Sequence, residues 1–231
     1  MKILALDTSS NGLSVAVMDN EKLLSEYFIT GSKKDHSRKL MPMIEEILKD
    51  VEVGVEDIDY YAVSIGPGSF TGLRIGITTV KGMAFANDKQ VVGVNTLDAL
   101  AGTIEYSGEI ICPLIDAKNN QVYTAIYNKG QKIVNDNVIL INELTDKLKF
   151  LNSKIVFVGD GAALHEEYLR NELQENCVIV NRADVLPVAS SVAKVASDKI
   201  KKGETLNSED LEANYLRKSQ AEREYEKKYT S

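Results

Sequence analysis

The stretch ILALDTSSNGLSVAV, residues 3–17, decides how the chain is read, because the chain says it twice. Ile3 to Leu6 are an unbroken apolar run ending at Asp7, the pattern of a strand buried on both faces. Leu13, Val15 and Val17 then alternate with Ser14 and Ala16, the turn Asp19-Asn20 follows, and KLLSEYF supplies a third strand. From Asp7 to Asp116 is a step of 109 residues, and the pattern returns there. Ile110 to Ile115 end at Asp116, Asn120 matches Asn11, and Val122, Thr124 and Ile126 repeat the alternation before the turn Asn128-Lys129-Gly130.

The echo runs on. YYAVSIGPGS, residues 60–69, reads as strand, Gly-x-Gly and the start of a helix, and so does KIVFVGDGAAL, residues 154–164. Helical periodicity predicts helices over 36–50, 72–86, 96–105, 162–174 and 188–202. The period is too long for a solenoid and describes a duplicated α/β domain, three meander strands followed by alternating helices and strands. The polar, glycine-bearing GTIEYSGE sets the boundary near residues 103–109. The expected units are therefore 1–105, a smaller second unit over 106–216, and a charged C-terminal tail over 217–231.

Length and composition fit this reading. A chain of 231 residues buries a substantial core in one domain or two small ones. The net charge of −7 argues against a surface built mainly to grip nucleic acid, which needs a basic face. Cys112 and Cys177, both in apolar runs, allow neither a disulfide framework nor a four-cysteine zinc site. MKILALDTSS is too brief for a signal peptide and polar residues interrupt every long apolar run, so the expectation is a soluble cytoplasmic protein.

The segment SIGPGSFTGLRIGI, residues 64–77, invites comparison with phosphate-binding loops, whose free amides at a helix N-terminus face an anion. It lacks the Gly-Lys-Ser/Thr of a P-loop, and Phe70 stands where the nucleophile elbow has its closing glycine. Gly66, Gly68 and Gly72 are spaced one residue too widely for a dinucleotide fingerprint. A phosphate site and a tight strand-to-helix turn both remain readings of it. His165 reads as a solvated helix residue, and His36 as a local hydrogen-bonding partner beside Lys33, Lys34, Arg38 and Lys39, a basic cluster read as a solvated face. No His-x-x-x-His, Cys-x-x-Cys or comparable pair offers metal ligands, and no catalytic residue is assigned. Asp7, Thr8, Ser9 and Asp116 remain as candidate nucleotide-contacting turns. Ser9 stands where a phosphate-binding turn would favour glycine.

Two such halves, each opening with strand, Asp and turn, resemble the actin-like and sugar-kinase-like ATPases. Six stretches make the resemblance specific: ILALDTSSNGLSVAV, DHSRKLMPMIEEIL, SIGPGSFTGLRIGI, GVNTLDALA, IDAKNNQVYTAIY and NYLRKSQAE. Taken in order from residue 3 to about 222, the chain resembles the bacterial TsaB (YeaZ) family of tRNA threonylcarbamoyladenosine biosynthesis. The resemblance implies a non-catalytic relative of TsaD that needs no cofactor. In TsaD-like proteins a helix presents two histidines to a metal; Thr96 and Leu100 fall at those places here, and neither makes a closed metal site.

The resemblance also implies partners. TsaD would dock on the first two helices, TsaE would join that pair, tRNA would be met only indirectly, and the chain alone would self-pair through the same helices. Two compositional features fit such a face. Met41 lies off the apolar stripe Leu40, Met43, Ile44, Ile47 and Leu48, flanked by Arg38 and Glu45. Gly72, Gly76 and Thr79 form a stripe of small residues beside Arg74 and Ile75, which suits either a partner's helix or close packing on the chain's own sheet. The expected interface is Arg38, Met41, Glu45, Gly72, Arg74, Ile75, Gly76 and Thr79. A small nucleotide-dependent kinase or hydrolase using Asp7 and Asp116 is the rival reading.

Overall fold

The computed structural model describes residues 1–30, 35–104, 110–151, 153–180 and 186–218. Strand β1 (Lys2–Asp7) is buried from Ile3 onward, because both of its faces are covered. It pairs antiparallel with β2 (Gly12–Asp19), which pairs with β3 (Lys22–Thr30), and on its other side parallel with β4 (Tyr60–Gly66). With β5 (Gln90–Asn95) the order is β3-β2-β1-β4-β5. The second sheet holds β6 (Ile110–Asp116), β7 (Gln121–Asn128), β8 (Gln131–Leu140), β9 (Ile155–Val158) and β10 (Cys177–Ile179), ordered β8-β7-β6-β9-β10. The two sheets share one topology, so the internal echo reflects a duplicated mixed α/β fold.

Helices α1 (His36–Asp50) and α2 (Phe70–Ala86) cover one face of the first sheet. On α1, Leu40, Met43, Ile44, Ile47 and Leu48 are buried at the predicted spacing. Ser69 caps α2, its Oγ accepting from the Gly72 N–H at 3.3 Å. Short α3 (Thr96–Ala101) lies between the units, with Leu97, Leu100 and Ala101 packed on Ile111, Ile115 and Val158. Helices α4 (Ile141–Leu148), α5 (Asp160–Leu164) and α6 (Glu166–Leu173) cover the far face of the second sheet. Among the described residues no helix is long and apolar enough to cross a membrane.

The structure departs from the expected boundaries in four places. The helix over 96–105 stops at Ala101, and residues 105–109 of the expected linker lie outside the described residues, as do 219–231 of the tail. The helix over 162–174 is two helices broken at His165, a half-buried residue whose Nε2 is shut from solvent. Helix α4 had no expected counterpart. Most consequentially, α7 (Ala189–Lys201) returns to the first sheet, so residues 106–216 do not form one unit. The physical reason is the bare second face of that sheet, where Ile3, Ala5, Ala16, Met18, Val92 and Val94 pack against Ala189, Val192, Ala193 and Ala196. Its N-terminus is held there by two first-unit side chains. Ser14 Oγ accepts from the Ala189 N–H at 2.8 Å, and Glu26 from the Ser190 N–H at 2.7 Å.

Candidate functional site

Each sheet ends its first strand on an aspartate, and these two turns are the candidate site. Asp7 has no solvent exposure. Its carboxylate accepts from the Ser9 N–H at 3.1 Å, from Ser9 Oγ at 3.0 Å and from Ser64 Oγ. Burial pushes its pKa up to about 7, against the lowering pull of the Ser64 and Ser9 hydrogen bonds. Thr8 Oγ1 donates to the Gly72 carbonyl at 2.7 Å, and the Ser69 N–H donates to the Ser9 carbonyl at 2.7 Å.

The glycine-rich segment is therefore seated on the Asp7 turn. A Cβ at Gly68 would lie 2.5 Å from the Ser9 carbonyl oxygen, and one at Gly72 only 2.0 Å from that of Thr8. At Gly76 it would lie 2.4 Å from Thr8 Oγ1. These glycines permit close backbone approach inside the unit. Gly72 and Gly76 are buried, so they belong to this contact and not to an outward partner face, which corrects their place in the expected interface. The turn as folded does not fit a metal-bound phosphate, because Asp7 and Ser9 are covered by their own chain.

The second turn is more open. The Asp116 side chain accepts from the Lys118 N–H at 2.7 Å and ion-pairs with Lys118 Nζ. Burial works to raise its pKa, but the Lys118 hydrogen bonds and charge outweigh this and hold it below the ordinary carboxylate value. Asp160 at the start of α5 accepts from the Asp116 N–H at 3.0 Å, and burial lifts its own pKa. Lys118, Asn119 and Asn120 all have φ near +60°, a tight reversal in which asparagine is tolerated. Lys118 supplies a positive charge opposite Asp116.

At the helix expected to lack histidines, Thr96 and Leu100 are both fully buried, and Asn95 caps the helix by accepting from the Leu97 N–H at 2.8 Å. Among the described residues no group of three His, Cys, Asp or Glu side chains is placed to hold a metal. The residues present do not fit a metal there.

The outer faces of α1 and α2 form a shallow groove of about 470 Å³, lined by Ser37, Leu40, Met41, Thr71, Arg74 and Ile75 with Thr78 and Thr79. Met41 is 51% exposed. Arg38 and Glu45 are exposed one turn to either side of it. Of the expected interface, Arg38, Met41, Glu45, Arg74, Ile75 and Thr79 thus lie on or beside one outward face. Arg74 Nε also donates to the hydroxyl of Tyr215 at 3.2 Å, a residue to which the sequence alone assigns no role. Ser64, the partner of Asp7, is likewise absent from the expected site, although a lone hydroxyl in the apolar run YAVSIG is a visible signal.

Two five-stranded mixed sheets of identical order, each with an aspartate turn after its first strand, define the duplicated actin-like fold shared with sugar-kinase-like ATPases. The ROK hexokinase of Thermus thermophilus shows this fold likeness at 11% identity and a TM-score of 0.54, covering 86% of this chain and 100% of that one. The family model described as "TsaD: tRNA N6-adenosine threonylcarbamoyltransferase" matches residues 23–225. The tRNA threonylcarbamoyladenosine biosynthesis protein TsaB of Bacillus subtilis is 31% identical over 226 residues, 96% of each chain. The solved structure of YeaZ from Pseudomonas aeruginosa is 26% identical, with a TM-score of 0.77 over 93% of this chain and 99% of that one. The chain belongs to the TsaB/YeaZ family, within the wider family that the TsaD model describes.

Proposed function

We propose that this chain is a non-catalytic subunit in the biosynthesis of threonylcarbamoyladenosine in tRNA, and that it acts by docking on TsaD. The family supports the pathway. One geometric observation supports the non-catalytic role: the Asp7 carboxylate is sealed by Ser9, Ser64 and the segment that carries Gly68 and Gly72. A nucleotide-dependent kinase or hydrolase would need that carboxylate to reach a metal-bound phosphate. Thr96 and Leu100 likewise supply no imidazole.

What the chain presents outward is the α1/α2 face around Met41 and Ile75, with Arg38, Glu45 and Arg74 at its rim. An apolar centre with a charged rim is the usual anatomy of a docking surface. TsaD takes this face, TsaE joins the pair, and without TsaD a second copy of the chain occupies the same helices. The net charge of −7 suits a subunit that meets tRNA only through its partner.

Co-purification with tagged TsaD from the same organism tests the docking face. Met41→Asp combined with Ile75→Asp is expected to weaken the pair by about tenfold or more, as loss of a buried interface anchor does. Undiminished co-purification of the double variant overturns the face. Measurable ATP turnover by the isolated chain with magnesium overturns the non-catalytic role and restores the enzyme reading.

A further inference from the structure

Residues 206–217, with one 3₁₀ turn at Ser208–Asp210, cross the molecule as a strap. Leu206 pairs with Val91 at the edge of β5 through two backbone hydrogen bonds, each 2.9 Å. Lys81 of α2 donates to the carbonyls of Glu209 and Leu211 at 2.9 and 3.1 Å, and Leu211 is buried in the first unit's core. The Asn214 N–H then donates to the Ile65 carbonyl at 2.8 Å. The Asn214 carbonyl lies only 2.5 Å from where a Cβ would sit on Gly66, which has φ +120° and so favours glycine twice over. The Tyr215 ring stacks on Phe70 with centroids 4.3 Å apart and planes 3° from parallel. After that the strap leaves the first unit: Arg217 Nη1 donates to the Ala117 carbonyl at 2.9 Å, on the turn that carries Asp116.

Asn214 and Arg217 are three residues apart, and three residues reach at most about 11 Å when fully extended. One stride of the strap therefore spans from the β4–α2 turn of the first unit to the Asp116 turn of the second. The units also meet at α3, where the packing is of a different kind. Leu97, Leu100 and Ala101 are buried against the second sheet. Beside them Lys132 donates to Asp136 at 2.7 Å and pairs with Asp98 at 2.7 Å, the Tyr127 hydroxyl donates to Asp98 at 2.5 Å, and Asn95 bonds Asp136. That junction is buried, many-membered and apolar at its centre. The strap's crossing is thin and near the surface, and Tyr215 is 40% exposed.

We propose that the strap is a latch. It holds the two units in one relative orientation by pinning the turn that seals Asp7 to the turn that carries Asp116, while α3 serves as the fixed pivot. Release of the strap lets the units part about α3 and loosens both turns together.

Hydrogen exchange on the full chain tests the latch through effects that cross from one unit to the other. Tyr215→Ala removes the stack on Phe70 and the hydrogen bond from Arg74, both within the first unit, yet amide exchange over 116–121 in the second is expected to rise. Arg217→Ala removes a contact to the second unit, yet exchange over 65–74 in the first is expected to rise. Each rise should be roughly tenfold, the scale of one lost charge-assisted hydrogen bond in a local opening equilibrium. Amides of β1 and β6 are the control for folding and should stay protected in both variants. Exchange that rises only in the unit of the contact removed, or in neither, overturns the latch. Should Tyr215→Ala lose protection in β1, Arg217→Ala alone decides, because its side chain lies outside both cores.

Discussion

Asp7 closes β1 and Asp116 closes β6, and the strands around them share one order. Even the neighbouring strand-to-helix turns agree in backbone: Gly66 and Gly159 have φ +120° and +108°. The two carboxylates nonetheless face opposite ways energetically. Asp7 is raised by burial among hydroxyls, and Asp116 is lowered by Lys118. The cause lies in the helices that these two glycine turns open. In the first unit Gly66-Pro67-Gly68 leads into the seventeen-residue α2, and Gly68 presses on Ser9 while Gly72 and Gly76 of the helix press on Thr8. In the second, Gly159-Asp160-Gly161 leads into the five-residue α5, and Asp160 receives the Asp116 N–H. Duplication thus preserved the path of the chain while the neighbours changed the chemistry of each aspartate.

The sharpest way to break this comparison is steric. Gly72→Val should cost about 3 kcal/mol or more in denaturant unfolding, since its Cβ would meet the Thr8 carbonyl at 2.0 Å and neither backbone can yield cheaply. Gly161→Val, whose Cβ would lie 3.0 Å from Leu114, should cost less. Equal costs would mean that the first turn is no more tightly sealed than the second.

The next effect is one of pH. Asp7 in the fold holds its proton more tightly than in the unfolded chain, its pKa being about 7 against an ordinary 3.8. Its contribution is fully present below about pH 4 and is lost as pH rises through about 7, with a total on the order of a few kcal/mol. Asp7→Asn should lack that slope, so the difference between the wild-type and variant stability curves should fall from pH 4 to 7. A difference curve flat from pH 4 to 7 would show that Asp7 is not sealed.

Asp116 should give the smallest effect and the opposite sign. Its lowered pKa means that its contribution is present above the ordinary value of 3.8 and is lost as pH falls through the folded pKa. The Lys118 side chain is largely exposed, so Asp116→Asn should lower stability by less than about 1 kcal/mol above about pH 4, a difference that fades in the acid limb. A loss as large as that from Gly72→Val would make the second turn a structural centre equal to the first.

The duplicated sheets were legible because strands buried on both faces write themselves as apolar runs, and ILAL and IICPLI both end on aspartate. Helix α1 was legible from its stripe, since Leu40, Met43, Ile44 and Ile47 can bury together on only one face. Other features carry no such mark. Helix α4 comes directly after β8 and is preceded by Leu140, which offers no capping side chain. For α7, periodicity shows that Ala189, Val192, Ala193 and Ala196 share a face but cannot say which sheet receives them. At the site, the aspartates were visible and their environments were not, because Ser64 lies 57 residues from Asp7 in sequence. Gly72 and Gly76 advertise close approach without naming the approaching group, and that group proved to be Thr8.

The homecoming of α7 bears on how the polypeptide is made. A nascent chain that has released residues 1 to 104 can form the first sheet and lay α1 and α2 on it, yet the opposite side, with Ile3, Ala16 and Val92, stays wet until Ala189–Lys201 emerges from the ribosome. The earliest-synthesised sheet is thus among the last to be closed, and a premature stop anywhere between residues 110 and 188 would strand it with an oily surface open to chaperones or aggregation.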